Sequence, residues 1–233
     1  MSSDRVNTLK SAWNARHSKY GATKRAVLLK RLPAWTNYYI HARHMRFIKS
    51  ALTSQMISVL DIGCGYGRIS RELKKFRPTL KFQGVELCGS FAQQFRKELG
   101  PCYDGPINEF NSDHEFDLVI IVTLLMYIQK DELDPIIKKI WRLLAPGGTL
   151  ICIEPASELF HLWRSFGTNH QASPTGGQIL YFDKSELADL FQNLPGAKLI
   201  NTTSISLIPF APATAIHHGI SVRKLLSEIS PST

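Results

Sequence analysis

Nine consecutive residues constrain this chain more than any others: Val59-Leu-Asp-Ile-Gly63-Cys-Gly65-Tyr-Gly67. A short apolar run closed by alternate glycines reads as a buried strand that delivers the chain into a tight turn. Ser70 to Phe76 follows with a helical pattern. Such a turn allows close approach. Without Cβ atoms the backbone takes dihedrals closed to other residues and lies against a ligand, while N–H groups at the helix start face an anionic part of it.

From residue 57 strand and helix patterns alternate. Ser58 to Ile62 is the first strand and Phe82 to Glu86 the second. Phe91 to Leu99 is helical, and a third short strand lies near Cys102. Phe116 to Val122 is a largely β-branched run, the mark of a strand buried on both faces of a parallel sheet. Leu133 to Leu144 is helical, Pro146-Gly147-Gly148 turns the chain, and Thr149 to Glu154 is a fifth strand. Then come a helix near Ala156 to Ser165, an insert to about Gln178, and a helix over Lys184 to Leu194. Two β-rich runs close the chain, Lys198 to Leu207 and Thr214 to Val222. This alternation predicts βαβ units and a doubly wound α/β fold.

Charge divides the chain at residue 56. Residues 1–56 hold 11 Lys and Arg against one acid, Asp4, whereas 57–233 hold 17 basic and 18 acidic residues. We therefore expect a basic helical extension, 1–56, ahead of a core domain, 57–233. In the extension Val6, Leu9, Trp13 and Tyr20 form an apolar stripe ending near Gly21. Thr23 is the expected cap of a second helix, Lys24 to Leu32, stopped by Pro33. Thr36 is the expected cap of a third, with Ile40, Phe47, Ile48 and Leu52 inward. Three readings of the basic segment stay open. It is a solvated face, or a lid whose Trp13, Trp35, Tyr38 and Tyr39 close on an anionic or aromatic small substrate. Alternatively it is a surface for RNA or an acidic membrane.

Hydrophobic residues at 44% and charged residues at 20% exclude a disordered or low-complexity chain. The four cysteines lack metal-binding spacing, so neither a disulfide framework nor a metal centre is expected. Met1 to Lys10 has no apolar core of a secretory signal. Leu118 to Gln129 is too short to cross a bilayer, which takes about 20 residues. Leu199 to Val222 is interrupted by polar residues and prolines. A cytoplasmic setting is the expectation.

The glycine loop narrows the ligand. Glu86 ends the second strand 19 residues after Gly67, where an acid accepts hydrogen bonds from a ribose diol. A dinucleotide fingerprint, GxGxxG, requires glycine at position 68, and the chain has Arg68. The spacing is GxGxG, with Asp61 two residues ahead of Gly63, which favours a nucleoside with an amino-acid tail.

These residues resemble the class I S-adenosylmethionine-dependent methyltransferases. Asp61 to Gly67 is similar to their first motif, Glu86 to their ribose acid, and Phe116-Asp117-Leu118-Val119 to their fourth strand. Leu143-Leu-Ala-Pro-Gly-Gly148 resembles the turn before their fifth strand. The resemblance covers roughly residues 57–155. It implies a Rossmann-like seven-stranded sheet whose last strand pair is antiparallel, with Thr214 to Val222 beside the fifth strand. It also implies S-adenosyl-L-methionine as cofactor. Asp61, Gly63, Cys64, Gly65 and Gly67 would form the loop under its methionine portion. Glu86 would hold the ribose and Leu87 pack on adenine. Asp104, Ile107 and Asn108 would lie on the adenine side, and Thr123 and Leu124 on the methionine side. Many relatives carry His at the place of Tyr127.

Methyl transfer explains the lack of a catalytic motif. The sulfonium is already activated, so the protein aligns donor and acceptor and excludes water. Tyr127, Glu154, His161, His170 and Tyr181 fall near the expected methyl; Tyr127, His161 and His170 are the candidate bases. Cys64 reads as a small filler rather than a nucleophile. His217 and His218, adjacent on a strand, point to opposite faces and are not expected to chelate together. The resemblance implies transfer to O or N of a small molecule. Methylation of RNA or protein guided by the basic segment, or a non-catalytic cofactor-binding module, are the alternatives.

Overall fold

A computed structural model describes residues 3–28, 33–156, 180–206, 208–209 and 215–226. The helix expected near Ala156 to Ser165, the following insert, and both His161 and His170 lie outside the described residues.

Seven strands form one sheet in the order β3-β2-β1-β4-β5-β7-β6. They are β1 (Ser58–Ile62), β2 (Lys81–Glu86), β3 (Cys102–Asp104), β4 (Phe116–Val122), β5 (Leu144–Pro155), β6 (Ala197–Ser206) and β7 (Ala215–Lys224). The central strands run parallel, with Val59 opposite Leu118 and Val119 opposite Leu150. β7 is antiparallel between β5 and β6, as the family resemblance implies. β5 begins earlier than expected: Pro146-Gly147-Gly148 bulges out between the pairs Phe116–Leu144 and Leu118–Thr149.

Helices cover both faces. On one, α6 (Lys130–Leu143) and α7 (Lys184–Gln192) bury Ile136, Ile140, Leu187 and Phe191 against Val119 and Leu150. On the other lie α4 (Arg68–Phe76) and α5 (Gly89–Glu98). There α3 (Ala34–Ser50) places Met45, Phe47 and Ile48 in one core with Val59, Leu118 and Ile151. The basic segment thus contributes a helix to the sheet's own core.

Ahead of α3 run α1 (Ser3–Tyr20) and a single turn, α2 (Lys24–Val27). The expected helix to Leu32 stops at Val27. The buried Arg16 guanidinium donates to the carbonyls of Arg25 and Leu28, and holding Leu28 in a non-helical conformation ends the helix there. The expected caps differ too. Thr23 donates its hydroxyl to Tyr20 O rather than capping α2, and α3 starts at Ala34 behind Pro33, which leaves Thr36 inside the first turn. Proline is well suited to a helix start, since its missing N–H has no partner to lose there.

The order of the sheet reverses between β1 and β4. Open α/β sheets bind ligands in the crevice outside the strand ends at such a point.

Candidate active site

A cleft opens at that switch point, with a cavity volume of about 110 Å³. Its floor is the loop Asp61 to Gly65, and its walls carry Glu86, Leu87, Ile107, Thr123, Leu124 and Tyr127. Gly63 and Gly65 have φ of +70° and +54°, conformations that an L side chain resists. Space is also tight: a Cβ on Gly63 would come within 3.0 Å of Leu124 Cδ1, and one on Gly65 within 3.2 Å of Val27 Cγ1, so either neighbour would have to give way. The loop is a bare backbone cradle.

Glu86 stands at the end of β2 with its carboxylate buried. Oε2 accepts from Gly65 N and Oε1 from Cys88 N, each at 2.7 Å. Those bonds fix the plane of the carboxylate and leave each oxygen a further lone pair for a hydroxyl donor. Burial pushes its pKa up to about 7 despite the two amides. Asp61 is likewise raised by burial, to about 6, and its Oδ2 accepts from Ser70 Oγ at 2.6 Å. A nucleoside carrying a cationic sulfonium and a diol matches this chemistry: hydroxyl donors for Glu86, bare backbone beneath the tail, and two acids nearby.

The cleft also holds residues that motif matching passed over. Arg68, met in the sequence only as the residue that breaks a dinucleotide pattern, is buried in the cleft wall as the first residue of α4. It faces His41 Nδ1 at 2.6 Å. Burial, then the Arg68 charge, push His41 down to about 3, so its ring is a neutral acceptor for the guanidinium. Val27 and Phe91 line the cleft as well. Gly67, Asp104 and Asn108 stand outside its lining. Gly67 starts α4 at a φ of +84°, and Asp104 meets Lys10 Nζ at 3.4 Å. Asn108 gives its carbonyl to Lys139 Nζ.

Cys64 is buried in the loop, and burial lifts its thiol well above the ordinary value, the reverse of an activated nucleophile. The two adjacent histidines serve different neighbours, His217 meeting His44 at 3.3 Å and His218 meeting Ser204 at 3.4 Å.

The loop after β4 is clamped from below. Thr123 adopts a φ of +55°, costly for a β-branched residue. Glu154, fully buried at the end of β5, accepts from Leu124 N at 2.7 Å, Leu125 N at 2.8 Å and Met126 N at 3.3 Å. Burial raises this carboxyl to about 8, so near neutral pH it is an uncharged acid whose Oε1 accepts two amides. Glu154→Ala leaves one buried and two part-buried amides without this acceptor, about 1–3 kcal/mol each. Even at the low end, about 3 kcal/mol in all, the expected drop in melting temperature is about 6–12 °C or more, readable by scanning calorimetry. Glu154→Gln should restore most of it at pH 7. Because the folded-state pKa is raised, the native acid's contribution is full below pH 4.5 and fades as pH rises through about 8, and the Gln variant should lack that alkaline loss.

The cleft has a roof. Leu9 and Trp13 of α1 line it from above, with Trp13 edge-on to Tyr127 at 5.6 Å. Arg5 Nη2 donates to Tyr127 O at 2.7 Å, and His17 stands edge-on to Phe91 at 4.9 Å. Trp35 and Tyr38, by contrast, are 53% and 63% exposed on α3.

Comparison with known proteins agrees with this geometry. Residues 59–148 match a family model described as a methyltransferase domain. That stretch, 90 of the 233 residues, is similar in sequence to a methyltransferase domain. Over 143 residues, 59% of its length, the chain is 27% identical to a tRNA N(3)-cytidine methyltransferase of Danio rerio. Over 102 residues, 42% of it, it is 28% identical to a malonyl-[acyl-carrier protein] O-methyltransferase of Priestia megaterium. These matches span 38% and 36% of those relatives' lengths. The fold is similar to that of a 1,6-didemethyltoxoflavin-N1-methyltransferase of Burkholderia thailandensis, solved with its substrate and S-adenosylhomocysteine. The TM-score is 0.70 at 18% identity, over 95% of this chain and 89% of that one. No helix among the described residues is long and apolar enough to cross a membrane.

Proposed function

We propose that this protein transfers a methyl group from S-adenosylmethionine to an O or N of a small acceptor held beside Tyr127. The observation that carries the reading is the roof: Leu9 and Trp13 line a largely apolar cleft over the glycine loop. When bound, the cofactor supplies an activated methyl group. Glu86 accepts the ribose hydroxyls, Gly63 and Gly65 pass beneath the methionine portion, and Thr123 and Leu124 wall its far side. Asp61, Cys64, Leu87 and Ile107 complete that pocket. Asp104, Asn108 and Gly67 act on it from outside the lining, through the loops they anchor. The roof keeps water out and aligns the acceptor, which is most of what such a transfer requires. Burial pushes Tyr127 up to about 12, so its phenol keeps its proton and orients an acceptor rather than deprotonating it.

A second reading, methylation of a base in RNA, is favoured by a separate observation. α3 has no acidic residue among its 17, yet presents two aromatic rings to solvent. Its similarity to a tRNA methyltransferase supports the same reading. Incubation with methyl-tritiated cofactor and fractionated extract separates the two. Label in small molecules supports the first, label in RNA the second, and label in neither removes both. Calorimetry should show S-adenosylhomocysteine binding without NAD binding, because Arg68 fills the place a dinucleotide loop reserves for glycine; comparable NAD affinity would overturn the cofactor assignment.

A further inference from the structure

The roof uses α1 and the sheet uses the inner side of α3. The outer side of α3 is left without a role. There Trp35, Tyr38, Ala42 and Arg46 share one exposed stripe, about 16 Å long at 1.5 Å per residue. Two separate features of that stripe point to one kind of ligand.

The first is a pair of rings in the open. Trp35 and Tyr38, 53% and 63% exposed and three residues apart, stand on one helical turn facing solvent. Tyr38 is held in place by Lys24, whose Nζ lies 4.5 Å above its ring. Lys24 starts α2, and Val27 at the end of the same turn lines the cleft. The aromatic end of α3 therefore adjoins the rim of the active site.

The second is a polar groove at the other end of α3. Arg43, Arg46 and Ser50 face Asn201, Thr202 and Thr203 of the edge strand β6. Neither guanidinium has an acidic partner among the described residues. Two forked cations beside hydroxyl and amide groups suit phosphate oxygens, which accept from guanidinium bidentately.

From these we infer that the outer face of α3 and its groove with β6 form a docking surface for single-stranded RNA. Bases stack on Trp35 and Tyr38, and backbone phosphates lie against Arg43 and Arg46. Stacking platforms alongside a basic groove are how single strands are bound with little sequence preference. An acidic protein would answer to the arginines but would not need the open rings. The inference rests on the RNA reading given above and locates where that RNA would lie.

The test is fluorescence anisotropy of the full chain with a labelled single-stranded oligoribonucleotide about a dozen nucleotides long. Binding should weaken with salt. Arg43→Glu with Arg46→Glu should lower the slope of log K against log salt by at least about 1.4, the share of two phosphate contacts on a single strand. Trp35→Ala and Tyr38→Ala should each weaken binding by about fivefold or more. All four positions lie outside the cleft lining, so S-adenosylhomocysteine affinity should stay unchanged and reports that each variant is folded. Absence of RNA binding, or binding indifferent to both sets of variants, would overturn the inference. Binding that polyphosphate competes away and the aromatic variants leave intact would also overturn it, leaving a general anion surface. Tritium transfer to the same RNA is a separate readout. RNA bound at α3 but never methylated defeats the methylation reading alone, whereas RNA methylated equally by all variants defeats the docking surface alone.

Discussion

A chain beginning at Pro33 is expected to fold, to bind S-adenosylhomocysteine within about tenfold of the full protein, and to lose at least about a hundredfold of methyl transfer. Tenfold is about 1.4 kcal/mol. Every strand, the glycine loop and Glu86 lie beyond residue 56, and α3, which joins the sheet's core, is retained. What is lost is a helix attached lightly. Of the apolar residues in α1 only Leu9 is fully buried; the remaining attachments are ring edges and hydrogen bonds, among them Trp13 to Tyr127 and Arg5 to Tyr127 O. Removing it exposes Phe91 and Tyr66, which costs stability but breaks no strand pairing. It also opens the reacting centre to water and frees Tyr127, and lids of this kind act on the chemical step more than on cofactor affinity. Single-turnover transfer and calorimetry on the shortened chain check both halves. Full transfer would reduce α1 to a solubility element; failure to fold would make it part of the core.

The second large effect concerns Glu86 and pH. Ribose hydroxyls bind the ionised carboxylate best, yet burial holds the free protein's Glu86 near 7. Binding at lower pH must first expel a proton, so the dissociation constant for S-adenosylhomocysteine is expected to be about tenfold higher at pH 6 than at pH 8. Folding runs the other way. A carboxyl whose pKa is raised in the folded state contributes stability that is full below 4.5 and fades as pH climbs through about 7. The unliganded protein should therefore lose stability over the range in which it gains affinity. Glu86→Gln should flatten both profiles, and Glu86→Ala should weaken binding by roughly 1.5–3 kcal/mol. Titration calorimetry from pH 5.5 to 8.5 reads the first slope and thermal melts the second. An affinity independent of pH would show that the ribose does not meet this carboxylate.

Much of this was legible in the residues. Phe116 to Val122 reads as a buried strand and is β4 to the residue, because a run apolar at six of seven positions suits a strand covered on both sides. The glycine spacing locates the bare backbone loop at the floor of the cleft for a reason equally local, the positive φ at Gly63 and Gly65. The rest depended on contacts far apart in sequence. α2 ends at Val27 because of a guanidinium eleven positions earlier, which no local pattern announces. The charge step at 56 suggested a boundary, but charge records the solvated side of a helix, and the buried side of α3 belongs to the sheet. Glu154 read as a wall residue or base, when three amides of a distant loop make it a clamp. Arg68 was visible only as a broken motif; its burial against His41 takes a helix packed from outside the domain's repeating units.

On the proposed reading the roof has a kinetic consequence. Leu9 and Val27 line the cleft beside the glycine loop, and Trp13, on the same helix as Leu9, stands edge-on to Tyr127. Donor and acceptor would then share a single gate, and spent cofactor would leave by a route that also frees the methylated product. An acceptor with several methylation sites is therefore expected to be released between successive transfers.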